Sequence, residues 1–325
     1  MNDDWSIEDI QRAIVIDTYL TNHDKEIFNE QAGEDYFDNL KIADEDLLEP
    51  YKYEQLFFED IINCIQRHFS VDLSHVKLWP RREFDMNTSI ILQEGVYYIS
   101  TEDRTYDFIS HFCANAFYIT MQSIEGEEKK KYMRRLMALI DIYYFRNKYL
   151  QRSPDDLDVY INNQNAIYHA ALVSRAMYTY LLCHEIAHII LNPEQKPTNE
   201  EDEFAADALA YEYFSCLIQN EEEHQYLVMY EGLRRAPLLL FDLMDLKSCY
   251  QEIILQKISH SVNHPDDIMR KRALLYQYDF GNDEECMDLY LLVYEQIESV
   301  CYFMYQARDN IRQNIAKLHD QDYNI

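Results

Sequence analysis

Two histidines, His184 and His188, flank Glu185 and two apolar residues in the run Leu181-Leu182-Cys183-His184-Glu185-Ile186-Ala187-His188-Ile189-Ile190-Leu191. Four residues make about one turn of an α-helix, so in a helix both imidazoles project from one face toward a common point. That arrangement supplies two ligands to a zinc ion. Glu185 stands beside them, where a carboxylate can accept the proton of an attacking water. One histidine alone in so apolar a run reads more simply as a core residue. The full His-Glu-x-x-His pattern shifts the reading to a metal site.

A catalytic zinc site takes a third protein ligand and keeps one position open for water. The next helical segment offers it in Glu203-Phe204-Ala205-Ala206-Asp207-Ala208-Leu209-Ala210-Tyr211, after Thr198-Asn199-Glu200-Glu201, which resembles a capping box. Glu203 and Asp207 share a face, and Ala206 and Ala210 leave room for close approach of the motif helix. The spacing places Glu203 on the metal and Asp207 behind it, holding a ligand histidine in one tautomer. Attraction of acids to a helix start accounts for Glu200, Glu201 and Asp202. It does not account for Asp207, a turn further in among alanines.

The elements that must position these residues are mostly helices. Gly and Pro number only 5 and 7 in 325 residues, too few for a fold that reverses direction at many tight turns. Periodicity predicts helices at 6–22 and 50–69, with Pro50 in the first turn of the second, and again at 106–124 and up to about 150. The charged run 125–131 reads as a solvated connector, and 151–158 as another. Residues 166–191 form a long segment apolar on most faces, which predicts a buried helix with its histidines deep inside. Asn192-Pro193 ends it. A last helix at 287–318 packs on the core. Extended texture is confined to 76–100, where Gln93-Glu94-Gly95 joins the runs of a hairpin at 88–99, part of a small sheet and a source of a free edge for an extended substrate. The expected class is α+β, mainly α-helical, in three regions at 1–75, 76–285 and 286–325 of one compact unit.

The formal charge of -30 disfavours nucleic acid and anionic membrane and favours a basic partner, although it also serves solubility. The 7 cysteines have no Cys-x-x-Cys spacing and read as reduced thiols. Neither a secretory leader nor an apolar span of membrane length is evident, so the expected location is the cytoplasm.

His184-Glu185-x-x-His188 followed by Glu203-x-x-Ala206-Asp207 resembles the gluzincin zinc metallopeptidases, in the branch whose third ligand lies in a Glu-x-x-Ala-Asp helix. Asn263-His264-Pro265-Asp266-Asp267-Ile268-Met269-Arg270 is similar to the His-Pro-x-x-x-x-Arg element that follows in that branch. The resemblance covers under half the chain. It implies a zincin-like helical core, Zn2+ on His184, His188 and Glu203, Glu185 as general base, and hydrolysis of peptide bonds in a protein substrate. Common members of the branch are membrane-embedded. A chain without a span resembles instead the soluble phage-exclusion (Lit-type) peptidases of bacteria, which implies a regulatory or antiviral-defence protease. Pro265 suits the first position of a helix, which would place His264 at the positive end as an oxyanion donor. Arg270, one turn on, either orients substrate or pairs with Asp207. Two alternatives stay open: a metallopeptidase-like regulatory binding protein without activity, and a helical interaction protein with an accidental motif.

Overall fold

The structure, a computed structural model, describes residues 44–81, 88–145, 161, 163–196, 198–220, 229–253, 265–280 and 284–322. The helix expected at 6–22 and the connector at 151–158 lie outside the described residues. The chain divides into two compact units, residues 1–103 with 224–227, and residues 104–223 with 228–325.

The first unit contains helix α1 (Asp44–Phe69) and a three-stranded sheet. α1 starts at Asp44 rather than Pro50. Phe57, Ile61 and Ile65 recur at helical spacing and are fully buried. Gln55 Nε2 donates to the Leu78 carbonyl at 3.2 Å and ties α1 to the sheet. The strands are β1 (Val76–Arg81), β2 (Ser89–Gln93) and β3 (Val96–Glu102), in the order β1-β3-β2. β2 and β3 form the expected hairpin, with Ile90 opposite Ile99. Glu94 and Gly95 both take positive φ, 52° and 82°, as a two-residue hairpin turn requires. β1 adds in parallel on the other side of β3, with Leu78 opposite Ile99.

The second unit is helical: α2 (Asp103–Met121), α3 (Gly126–Phe145), α4 (Gln164–Leu191), α5 (Glu200–Gln219), α6 (Ala236–Ile253), α7 (Asp267–Gln277) and α8 (Glu284–Asp322), with a 3-10 turn at Glu231–Leu233. α6 is the hub and touches α3, α4, α7 and α8. α4 is buried from Ala176 to Ala187 with Leu181 alone partly open, and Asn163 caps its start by accepting from the Ala166 N–H. α5 lies along α4, and its fully buried Ala206 and Ala210 admit the close approach.

Three further boundaries depart from the sequence reading. The charged run at 125–131 is no connector. It opens α3, with Glu127 and Glu128 in the first turn and Lys130 paired to Glu127 at 2.6 Å. The capping box of α5 is one residue later than Thr198: Asn199 accepts from the Glu201 and Asp202 N–H groups, and Asp202 returns a bond to the Asn199 N–H at 3.0 Å. α7 begins at Asp267 after an extended Asp266, so Pro265 precedes the cap rather than opening the helix. No described helix is long and apolar enough to cross a membrane. The six described cysteines are free thiols.

Candidate metal centre

α4 carries Tyr180, His184 and His188 in one stripe at one-turn intervals, α5 carries Glu203 and Asp207 the same way, and α7 supplies Arg270. His184 Nε2 lies 3.0 Å from His188 Nε2 and 3.6 Å from a Glu203 carboxylate oxygen. The other Glu203 oxygen is 3.5 Å from His188 Nε2. Ligand atoms at about 2.0–2.2 Å around a tetrahedral zinc stand about 3.3–3.6 Å apart, so the two Glu203 distances fit and the imidazole pair is somewhat closer. The donor set therefore fits a metal ion. It is also enclosed: His184 is 6% and Glu203 2% exposed.

Behind the ligands, His184 Nδ1 lies 3.0 Å from Asp207 Oδ1. A carboxylate at that distance fixes the proton on Nδ1, and the Nε2 lone pair then faces Glu203 and His188. Arg270 grips the same carboxylate from two sides, Nε to Oδ2 at 2.7 Å and Nη2 to Oδ1 at 2.6 Å. Nη2 also lies 3.3 Å from Nε2 and 3.4 Å from Nδ1 of His184. Equal reach to both ring nitrogens puts the guanidinium over the imidazole face rather than in line with a lone pair. The guanidinium also lies over the Phe241 ring, 5.0 Å from the centroid.

The charges explain the titration of the cluster. Burial works against an ionised Asp207, but Arg270 and then His184 hold its pKa at about 2. Burial likewise opposes a charged His184, yet Asp207 and Glu203 raise its pKa to about 9 while Arg270 pulls the other way. The environment favours a cation at this point, either a proton or an ion of higher charge. Glu185, next to His184 in sequence, is also buried, at 7% exposure.

Of the residues singled out from sequence, His184, His188 and Glu203 come together as a possible metal-binding group, and Asp207 stands behind them. Of the two roles open to Arg270, the structure shows pairing with Asp207. His264 lies outside the described residues. Sequence reasoning gave no site role to Tyr180, whose hydroxyl reaches Asp207 Oδ1 at 3.2 Å, or to Phe241. The available signal was Tyr180's place one turn before His184, on the stripe of the two histidines. Comparison of the chain with protein-family models, with curated proteins and with solved structures finds no match.

Proposed function

We propose that this chain is a zinc-dependent endopeptidase of the gluzincin type, hydrolysing peptide bonds in a protein substrate. The observation that carries this reading is the convergence of His184 Nε2, His188 Nε2 and the Glu203 carboxylate. Two imidazoles and one carboxylate are the donor set of hydrolytic zinc sites, whereas magnesium and calcium call for more oxygens. When bound, zinc supplies a Lewis acid that polarises the scissile carbonyl and makes the attacking water more acidic.

The chain's own residues do the rest. Glu185 takes the proton from water and passes it to the leaving amine. Asp207 keeps His184 in the tautomer whose Nε2 is a ligand, and Arg270 keeps Asp207 ionised. The zincin-like description of the core rests on α4 carrying the two histidines and α5 carrying the glutamate. The charge of -30 favours a basic substrate segment, and free thiols accord with a reducing cytoplasm. A regulatory or phage-defence role follows from the Lit-type resemblance.

The test is proteome-wide mass spectrometry after expression of the wild type beside Glu185→Gln. A specific cleavage fragment made only by the wild type is the expected result. Identical proteomes, from a chain loaded with zinc and in the presence of the phage or stress signal, would leave a binding protein as the better description.

A further inference from the structure

Tyr180 is 1% exposed, and its ring meets Phe214 and Phe241 edge-on, at 6.1 Å and 5.9 Å between centroids. A phenylalanine would make the same ring contacts. What tyrosine adds is a buried hydroxyl, which is costly unless bonded. The hydroxyl donates to Asp207 Oδ1 at 3.2 Å and lies 3.4 Å from the Asp207 carbonyl. Burial first, and then the charge of Asp207, hold the phenol pKa well above its ordinary value, so it remains a donor at any working pH.

Asp207 Oδ1 thus takes three donors: Arg270 Nη2 at 2.6 Å, His184 Nδ1 at 3.0 Å and Tyr180 Oη at 3.2 Å. The shortest comes from α7, and without a second anchor the carboxylate is set by Arg270 alone. Tyr180 supplies that second anchor from the same helix as His184, four residues before it. We propose that Tyr180 is a positioning residue for the metal ligand His184, acting through Asp207, so that the working motif is Tyr-x-x-x-His-Glu-x-x-His. The inference rests on the metal-site reading above and adds to it a residue whose hydroxyl bonds Asp207.

Groups one layer behind metal ligands are worth about tenfold to a hundredfold in metal affinity. Zinc affinity of the full chain is therefore measured by competition with a chromophoric chelator, alongside the visible absorption of the cobalt-loaded protein. Tyr180→Phe should keep the thermal unfolding midpoint close to wild type, lose about tenfold in zinc affinity and shift the cobalt bands. Added to Asp207→Ala, it should cost nothing further, because its only route to the metal is already cut. 3-Fluorotyrosine at 180 keeps the ring and donates more strongly, so its zinc affinity should equal or exceed wild type, which decides the matter even if Tyr180→Phe folds poorly. Tyr180→Phe with wild-type affinity and cobalt spectrum, a full additional loss in the Asp207→Ala background, or weakened binding with fluorotyrosine would each overturn the role of Tyr180 alone. A wild-type chain that takes up neither zinc nor cobalt would overturn the metal reading beneath it.

Discussion

Arg270 and Lys271 are neighbours on α7, and each enters a cluster of opposite charge, buried for Arg270 and part-buried for Lys271, yet the two clusters are built differently. Lys271 Nζ reaches both oxygens of Asp242, at 2.6 Å and 2.7 Å, and the Tyr290 hydroxyl at 2.9 Å, and that hydroxyl is 3.2 Å from Asp242. One cation meets one anion, the three ammonium donors have three acceptors, and the group joins α6, α7 and α8. The Arg270 cluster is open. Its guanidinium is committed to Asp207, while Glu203 and two imidazole nitrogens converge beside it and, among the described residues, are not closed by any lysine or arginine bond of the kind Lys271 makes. A closed pair marks a joint between helices. Converging imidazole and carboxylate donors make a group that could hold a metal ion.

Removing a ligand breaks this comparison most severely. Glu203→Ala or His188→Ala should lower zinc affinity more than a hundredfold, whereas Glu200→Ala and Glu201→Ala, exposed at the start of α5, should leave it unchanged. If Glu201→Ala strips the zinc instead, the ligand assignment on α5 is wrong. Glu185→Gln should separate chemistry from binding. It should keep zinc and lose about 10²–10⁴-fold in turnover, read as cleavage rate against metal content.

The two α7 cations should then diverge. Arg270→Gln leaves Asp207 ionised and buried without its main partner, which should cost about 3–5 kcal/mol of stability and weaken zinc binding as well. Lys271→Met should cost less, because burial has already raised the Asp242 pKa and the carboxyl can take up a proton. It should also leave zinc affinity at the wild-type value. Denaturant unfolding and chelator competition on both variants decide this; equal zinc loss in the two would erase the distinction between joint and site.

How much of this was legible depended on whether the signal was local. The ligands were, since a one-turn spacing of His184 and His188, and of Glu203 and Asp207, is written directly into the chain. So was the hairpin, where Glu94-Gly95 permits the two positive φ values. The parallel pairing of β1 with β3 was not, because partner and direction are set by packing rather than by either strand's own residues. Boundaries slipped where two residues competed for one role, as with Thr198 and Asn199 at the cap of α5, or where a charged run suited a helix start as well as a turn, as before α3. Tyr180 was hidden because a tyrosine in an apolar helix reads as core. Only the position of Asp207 on a different helix gives its hydroxyl a purpose.

The smallest expected effect tunes the margin of the site. Asp267, at the start of α7, is 4.0 Å from an Arg270 nitrogen, yet burial outweighs that attraction and raises its pKa to about 6. The folded chain then binds this proton more tightly than the unfolded chain. Its contribution is fully present below the ordinary carboxylate pKa of 3.8 and is lost as pH rises through about 6. Asp267→Asn should accordingly raise the unfolding midpoint by a few degrees near pH 7 and change it little near pH 4. Melting curves at both values suffice, and a variant less stable at pH 7 would show that the pairing with Arg270 outweighs the burial.

The most direct test of the central claim is elemental analysis of the full-length chain purified without added metal. About one zinc per chain is expected in the wild type and in Lys271→Met, and almost none in His188→Ala. A wild-type chain that arrives metal-free and takes up no zinc on titration would contradict the account.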